Sequence, residues 1–339
     1  MKIAVTADIH LTNFSQDPIN KESSLPERLS GLDKSLRYMC DYCRQKEVKD
    51  VTIAGDLFHN KGVIYVDSLN VFLDIVNDYP DLYFTIISGN HDLTSKSEDG
   101  KSSIRSVEHV ENIRYMKKSG ILGNAYYVPY NPDMINEIKN CKQDILISHF
   151  GLNEGVLNSG ISVVADIAMK DLIGKYKLVI LGHYHKAQEL INDNISIFYC
   201  GSPIQLDWGE ANEEKRFLII DTKSLKVKSV PFQGYTKYFK IEVTQDNQQK
   251  INKDIEKLLK DGHKVKVYKQ EDFKYEAPSG SIIVDKTERD ITNRGVTSTM
   301  SREEQVTKYL EIKNIPPEDF EYYKSIALEI IQDSGGLNA

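Results

Sequence analysis

Two periods of apolar spacing alternate along the chain, and the changes between them mark most of its elements. Short runs of apolar and β-branched residues recur at Lys2–Ala7, Asp50–Ala54, Leu82–Ser88, Ile145–Ser148, Leu178–Leu181 and Ile195–Cys200. Runs of this length and composition predict buried strands. Between them the period lengthens. Leu29, Leu32, Leu36, Met39 and Cys43 recur every three or four residues and predict a helix over Arg28–Glu47. Leu69, Phe72, Leu73 and Val76 predict another over Tyr65–Asn77, with those four side chains inward. Leu11–Leu25, polar and punctuated by Pro18, reads as a surface loop. Ile113–Pro129 reads as short strands and turns, Ile167–Ile173 as a short helix, and Phe217–Asp221 with Val227–Pro231 as a closing hairpin. This β–α rhythm predicts one mixed α/β domain over residues 1–232.

The texture changes after Pro231. Tyr238–Val243, a helical stretch Asn247–Lys260, Lys264–Tyr268 and Ser281–Val284 predict a small α+β domain over 233–290. Asp285–Thr299 is a polar linker, and residues 291–339 hold two further helices, Ser301–Ile312 and Pro317–Gln332; the second begins with Pro and is followed by Gly335-Gly336. Val306, Leu310, Phe320, Tyr323, Ala327 and Ile330 form apolar stripes on this pair. Because the pair follows a linker, a partner is the preferred cover for those stripes over the chain's own body. Thr94–Ser106 is a flexible loop, read as a solvated connector rather than a lid.

Composition changes this picture little. With 339 residues, 40% hydrophobic and 27% charged, the chain looks like an ordinary soluble protein. No apolar run is long enough for a membrane helix. Ile3–Ala7 is too short for a signal peptide, so a cytoplasmic location is expected. Cys40, Cys43, Cys141 and Cys200 do not suggest a disulfide framework, and Cys40-x-x-Cys43 reads as helix packing. The net charge of −7 argues against gripping nucleic acid through bulk positive charge. It does not exclude a nuclease, because bound metals supply positive charge locally.

The candidate chemistry lies at the ends of the strands. Six of the eight histidines (His10, His59, His91, His149, His183 and His185) follow predicted strands, beside Asp8, Asp56, Asn90 and Asp92. His109 and His263 fall outside this pattern. Ligand sites of sheet proteins lie beyond the carboxyl ends of strands, so the clusters are expected to converge. Imidazole, carboxylate and carboxamide without thiolate suit Mn, Fe, Zn, Co or Ni. Asp8, His10, Asp56, Asn90, His149, His183 and His185 are too many for one ion with an open position. They suit two ions about 4 Å apart with a bridging carboxylate. Only two carboxylates offset two divalent cations, which leaves a site attractive to phosphate. By spacing alone His183 and His185 point the same way and would share an ion.

Asp8-x-His10, Gly55-Asp56-x-x-His59, Gly89-Asn90-His91-Asp92, His149 and Gly182-His183-x-His185 resemble, in order and interval, the calcineurin-like metallophosphoesterases. His59, and Asp92 in place of Glu, bring the likeness closer to the SbcD-type nucleases of double-strand-break repair, a branch that includes phage recombination-nuclease subunits. The resemblance spans residues 1 to about 205 and implies a four-layer αββα sandwich, here followed by the small capping domain and the C-terminal helix pair. It implies that Asp8, His10, Asp56 and His185 hold one ion and Asp56, Asn90, His149 and His183 the other, most simply Mn²⁺. It also implies that His91, not itself a ligand, protonates the leaving sugar oxygen or stabilises the charge on phosphorus, and that His59 positions the DNA strand; Asp92 reads as orienting the His91 imidazole or raising its pKa, or as a cap on the following segment. Gly89 and Gly182 are expected to permit sharp backbone turns. The implied function is that of a 3′-to-5′ exonuclease and single-strand endonuclease subunit. Its expected partners are DNA and an SbcC-like ATPase bound through the C-terminal helices, in an architecture compatible with a homodimer and without membrane contact. The alternative is a small-molecule or protein phosphoesterase using the same metals, which the acidic balance favours.

Overall fold

The computed structural model describes residues 1–95, 101–157, 165–270, 273–286, 301–313 and 315–333. The chain divides into two compact units, one built from Met1–Lys269 with Phe273–Val284, the other from Gln270–Asp272 with Asp285–Ala339.

The first unit is built on two six-stranded sheets. In the first sheet β1 (Lys2–Thr6), β2 (Asp50–Ala54), β3 (Tyr83–Ile87) and β4 (Ile113–Tyr115) run parallel, and the antiparallel pair β11 (Arg216–Asp221) and β12 (Lys226–Pro231) extends it in the order β12-β11-β1-β2-β3-β4. The second contains β5 (Gly120–Leu122), β6 (Ala125–Val128), β7 (Ile145–His149), β8 (Leu178–Gly182), β9 (Gln188–Ile191) and β10 (Ser196–Tyr199), in the order β5-β6-β7-β8-β10-β9. Successive side chains of a strand point to opposite faces, and here both faces are covered. Ile3 and Val5 of β1 join Ile145, Ile147, Leu178 and Ile180 in a core between the sheets. Ala4 faces the other way, into a second core with Val51, Ile53 and the helices α1 (Glu27–Gln45) and α2 (Val66–Asp78). Leu146, Val179 and Leu181 turn outward into a third core with α3 (Met134–Asn140) and α4 (Met169–Leu172). Helix, sheet, sheet and helix therefore stack in four layers, as the resemblance implied.

The hairpin, the short strands after Ile113 and both long helices form where the periodicity put them. On α2 the buried stripe is Val71, Phe72, Ile75 and Val76, while the expected Leu69 and Leu73 are only partly buried. Cys40 and Cys43 are buried packing residues of α1. α3 and the exposed edge strand β9 were not anticipated. The loop expected over Thr94–Ser106 has its centre, 96–100, outside the described residues; its end, Ser103–Ser106, is a 3₁₀ turn capped by Ser102.

The small α+β segment forms a sheet of β13 (Tyr238–Glu242), β14 (Lys264–Gln270) and β15 (Ile282–Lys286), with α5 (Gln248–Lys260) on the face that carries Val265 and Val267. In the second unit α6 (Arg302–Ile312) packs on α7 (Pro317–Asp333). Ser301 and Glu304 cap α6 reciprocally, and Lys324 pairs with Glu303 at 2.9 Å. Leu310 is buried there, whereas Tyr323, expected in the apolar stripe, is exposed together with Tyr309 and Tyr322. Most of the expected linker, 287–300, and Gly335-Gly336 lie outside the described residues.

Candidate metal centre

Parallel strands deliver their C-terminal ends to one edge, and the sequence clusters sit at those ends. β7 and β8 run in register with His149 opposite Gly182. The loop after β1 is tied to the loop after β2 by Asp8 N donating to Gly55 O (3.1 Å) and His10 N donating to Asp56 O (3.0 Å). Asp8, His10, Asp56 and His183 have φ of +53°, +53°, +55° and +102°. Non-glycine residues adopt such a backbone at a cost of roughly 1–3 kcal/mol each. Here it turns four side chains off their strands and into one pocket.

The positive φ at His183 also breaks the extended geometry that would have aimed His183 and His185 the same way. His183 Nδ1 lies 3.2 Å from Asn90 Oδ1, while His185 Nε2 lies 2.9 Å from His10 Nε2. Gly89 and Gly182 are not in the left-handed region, so sharp turning is not their role. They are needed for close approach: a Cβ on Gly89 would collide with the Asp56 carboxylate, and one on Gly182 would lie against Ala54 O and 2.6 Å from His149 Nδ1. Gly55, at φ +90°, meets both demands.

The seven expected ligands meet. Among the described residues, Asp8, His10 and His185 bring one donor atom each to within 4.8 Å of one another, and so do Asp8, Asp56 and His149. Asp56 Oδ2 lies between the two halves, 3.6 Å from His10 Nε2 and 3.3 Å from His149 Nε2. His149 Nε2 is 3.1 Å from Asn90 Oδ1, and its Nδ1 faces Ala54 O at 2.9 Å. The backbone carbonyl fixes a proton on Nδ1, so Nε2 is the atom that points into the pocket and can bind an ion once its own proton leaves.

Two buried carboxylates and a set of imidazoles whose ring nitrogens face each other fit divalent cations. Without positive charge between them, these groups must share protons. Their titration shows the same imbalance. Burial pushes Asp8 above the usual carboxylate range. Burial alone would also lift Asp56, but the surrounding imidazoles, His149 foremost with His10 and His91, together outweigh it and hold Asp56 far below that range. Burial disfavours a charged His149, yet Asp56 and Asp8 together push it up to about 9. Burial, with His149 nearby, pulls His183 down to about 3.

His59 and His91 stand at the rim. Their rings stack with centroids 5.4 Å apart, and with His10 they form a third cluster of donors. His91 Nδ1 faces His59 O at 2.7 Å, and His59 Nδ1 faces His10 Nδ1 at 3.2 Å. Asp92 does not orient His91. It is buried beneath the loops, accepting from Gly89 N (2.9 Å), Phe58 N (3.0 Å) and Leu57 N (3.3 Å), so it ties the β2 and β3 loops together. Burial first, then the Asp56 charge, pushes its carboxyl up to about 7. His109 is exposed, and His263 accepts from Lys237 N in the small sheet.

Sequence reading missed Glu210 and Lys215. Glu210 Oε1 lies 3.1 Å from His185 Nδ1, and Glu210 Oε2 lies 2.6 Å from the fully buried Lys215 Nζ. His185 holds Glu210 down to about 2 after burial is offset, with Lys215 adding to the effect. Glu210 sits on a 3₁₀ turn, Trp208–Glu210, with no periodicity around it, so local pattern gave no signal.

The chain is similar to several known proteins. Residues 1–187 match the calcineurin-like phosphoesterase family. Exonuclease subunit 1 of Enterobacteria phage T4 is 23% identical over 249 residues, covering 68% of each chain. The SbcD component of the SbcCD nuclease of Staphylococcus epidermidis is 24% identical over 305 residues, covering 78% of this chain and 76% of that one. Among solved structures, a dimetal phosphatase from Danio rerio aligns with a TM-score of 0.41 and 10% identity, over 68% of this chain and 99% of that chain. The family match spans more than half of the 339 residues and takes in every one of the seven converging donors; this chain belongs to the calcineurin-like phosphoesterases, a family of hydrolases with a dimetal site.

Proposed function

We propose that the chain is a Mn²⁺-dependent DNA nuclease subunit, acting as a 3′-to-5′ exonuclease and single-strand endonuclease beside an SbcC-like ATPase. The observation that carries this is the pocket in which seven donors from five strand ends meet beside the rim imidazole of His91. The names of the two relatives, an exonuclease subunit and a subunit of the SbcCD nuclease, support a nuclease that works within a larger complex. Asp8, His10, Asp56 and His185 would hold one ion, and Asp56, Asn90, His149 and His183 the other. Two divalent ions bound there supply a nucleophilic water at neutral pH and neutralise the phosphate charge.

The chain's own residues do the rest. The carbonyl of His59 holds a proton on His91 Nδ1, which leaves His91 Nε2 as the nitrogen that would serve the substrate. As the water oxygen bonds to phosphorus and gives up a proton to solvent, and the bond to the leaving sugar oxygen breaks, a doubly protonated His91 would give its Nε2 proton to that oxygen. His59, stacked on His91, closes one side of the strand's path. Residues 233–290 act as a capping domain, and residues 291–339 carry the ATPase-binding helices.

The test is purified protein with Mn²⁺ and end-labelled linear duplex and single-stranded DNA, alone and with its ATPase partner. Metal-dependent release of nucleotides is expected. No cleavage in either setting, with turnover of small phosphodiesters or phosphoproteins instead, would overturn the nuclease reading in favour of the phosphoesterase alternative.

A further inference from the structure

Each candidate ligand histidine has a second ring nitrogen, and what that nitrogen meets fixes which tautomer reaches the pocket. For His149 it is a backbone carbonyl, and for His10 it is the His59 ring. For His185 it is a buried carboxylate, Glu210, whose other oxygen is held by Lys215 at 2.6 Å. Lys215 is itself fixed by two further contacts, the carbonyl of His185 at 3.1 Å and Glu213 Oε2 at 3.0 Å. Ser202 Oγ and Leu206 N also donate to Glu210 Oε2, so that oxygen cannot swing away. This is a built support for one imidazole, assembled from a segment remote from every motif.

We propose that Glu210, clamped by Lys215, is a positioning residue that keeps the proton of His185 on Nδ1 and so presents Nε2 as a ligand to one ion of the pair. This rests on the dimetal reading above and adds an asymmetry to it. Glu210 would support the ion shared by Asp8, His10 and His185, because His185 is the candidate ligand it meets among its hydrogen bonds and ion pairs. The same segment carries the outer face of the support. Trp208 packs on Tyr238 of β13 with ring centroids 4.9 Å apart, and the Asn212 side chain pairs with both backbone groups of Lys240. The positioning residue is thus anchored between His185 and the small sheet.

The experiment is Mn²⁺ titration of the full chain by calorimetry, with metal counting after gel filtration, on wild type, Glu210→Gln and Lys215→Met. Glutamine can still accept through its oxygen, but its NH₂ donates where the second carboxylate oxygen accepted. Wild type is expected to bind two ions. Glu210→Gln is expected to weaken one of them by about 10- to 100-fold and leave the other unchanged. Lys215→Met should weaken the same ion, and the thermal unfolding of each metal-free variant separates this from a folding defect. Two unchanged affinities in a folded Glu210→Gln, or equal loss at both ions, would overturn the proposal. If wild type binds no pair of ions, the dimetal reading falls first and the role of Glu210 with it. Cleavage of DNA by a variant with unchanged metal affinities would sink the positioning role while leaving the nuclease reading intact.

Discussion

Metal binding at this site should release a proton, and the amount can be worked out. In the metal-free protein His149 carries a proton at neutral pH. Burial opposes that charge, but Asp56 and Asp8 outweigh it and push the imidazole up to about 9. A ligating imidazole must be neutral at the atom that binds, and Nδ1 is committed to Ala54 O, so the proton on Nε2 must leave. The ion therefore competes with the proton below pH 9, and affinity rises with pH before levelling off. At pH 7, about two units below that value, the competition weakens binding by about two orders of magnitude. The assay is Mn²⁺ calorimetry at pH 7 and 8 in pairs of buffers with different ionisation heats, which count protons directly. About one proton per protein from this group, and a tenfold affinity gain per pH unit, are expected. His91→Ala should show the same count. Binding with no proton release and a flat pH profile would refute the reasoning.

Other changes separate the roles of neighbouring residues. His91→Ala should keep the metals but cut cleavage by about two to four orders of magnitude, the range for losing a general acid; metal analysis beside a cleavage assay checks it. Asp92→Ala removes the acceptor for the amides of Gly89, Phe58 and Leu57, and stranded buried donors should cost about 2–4 kcal/mol in urea unfolding. Unchanged stability would return Asp92 to a role at His91. Deleting residues from 300 onward should spare metal binding and abolish ATPase association, read by co-purification with the ATPase.

The buried parallel strands were legible because strands covered on both faces read as continuous apolar runs, and the chemistry was legible because those runs end in it. β9 was not, since an exposed edge strand, Gln188-Glu189-Leu190-Ile191, carries no such run. The split between His183 and His185 depends on one backbone angle at His183, which spacing cannot express. Gly89 and Gly182 were recognised as special, but for turning, whereas the constraint is crowding from Asp56 and His149 across the fold. Glu210 reaches His185 across 25 residues from a short irregular turn, so only the folded chain brings it into view.

The most direct test of the central claim is a crystal of the Mn²⁺-loaded chain measured at the manganese absorption edge. Two anomalous peaks about 4 Å apart are predicted, one beside Asp8, His10 and His185, the other beside Asn90, His149 and His183, with Asp56 between them. A single peak, or ions bound away from Asp56, would contradict the account.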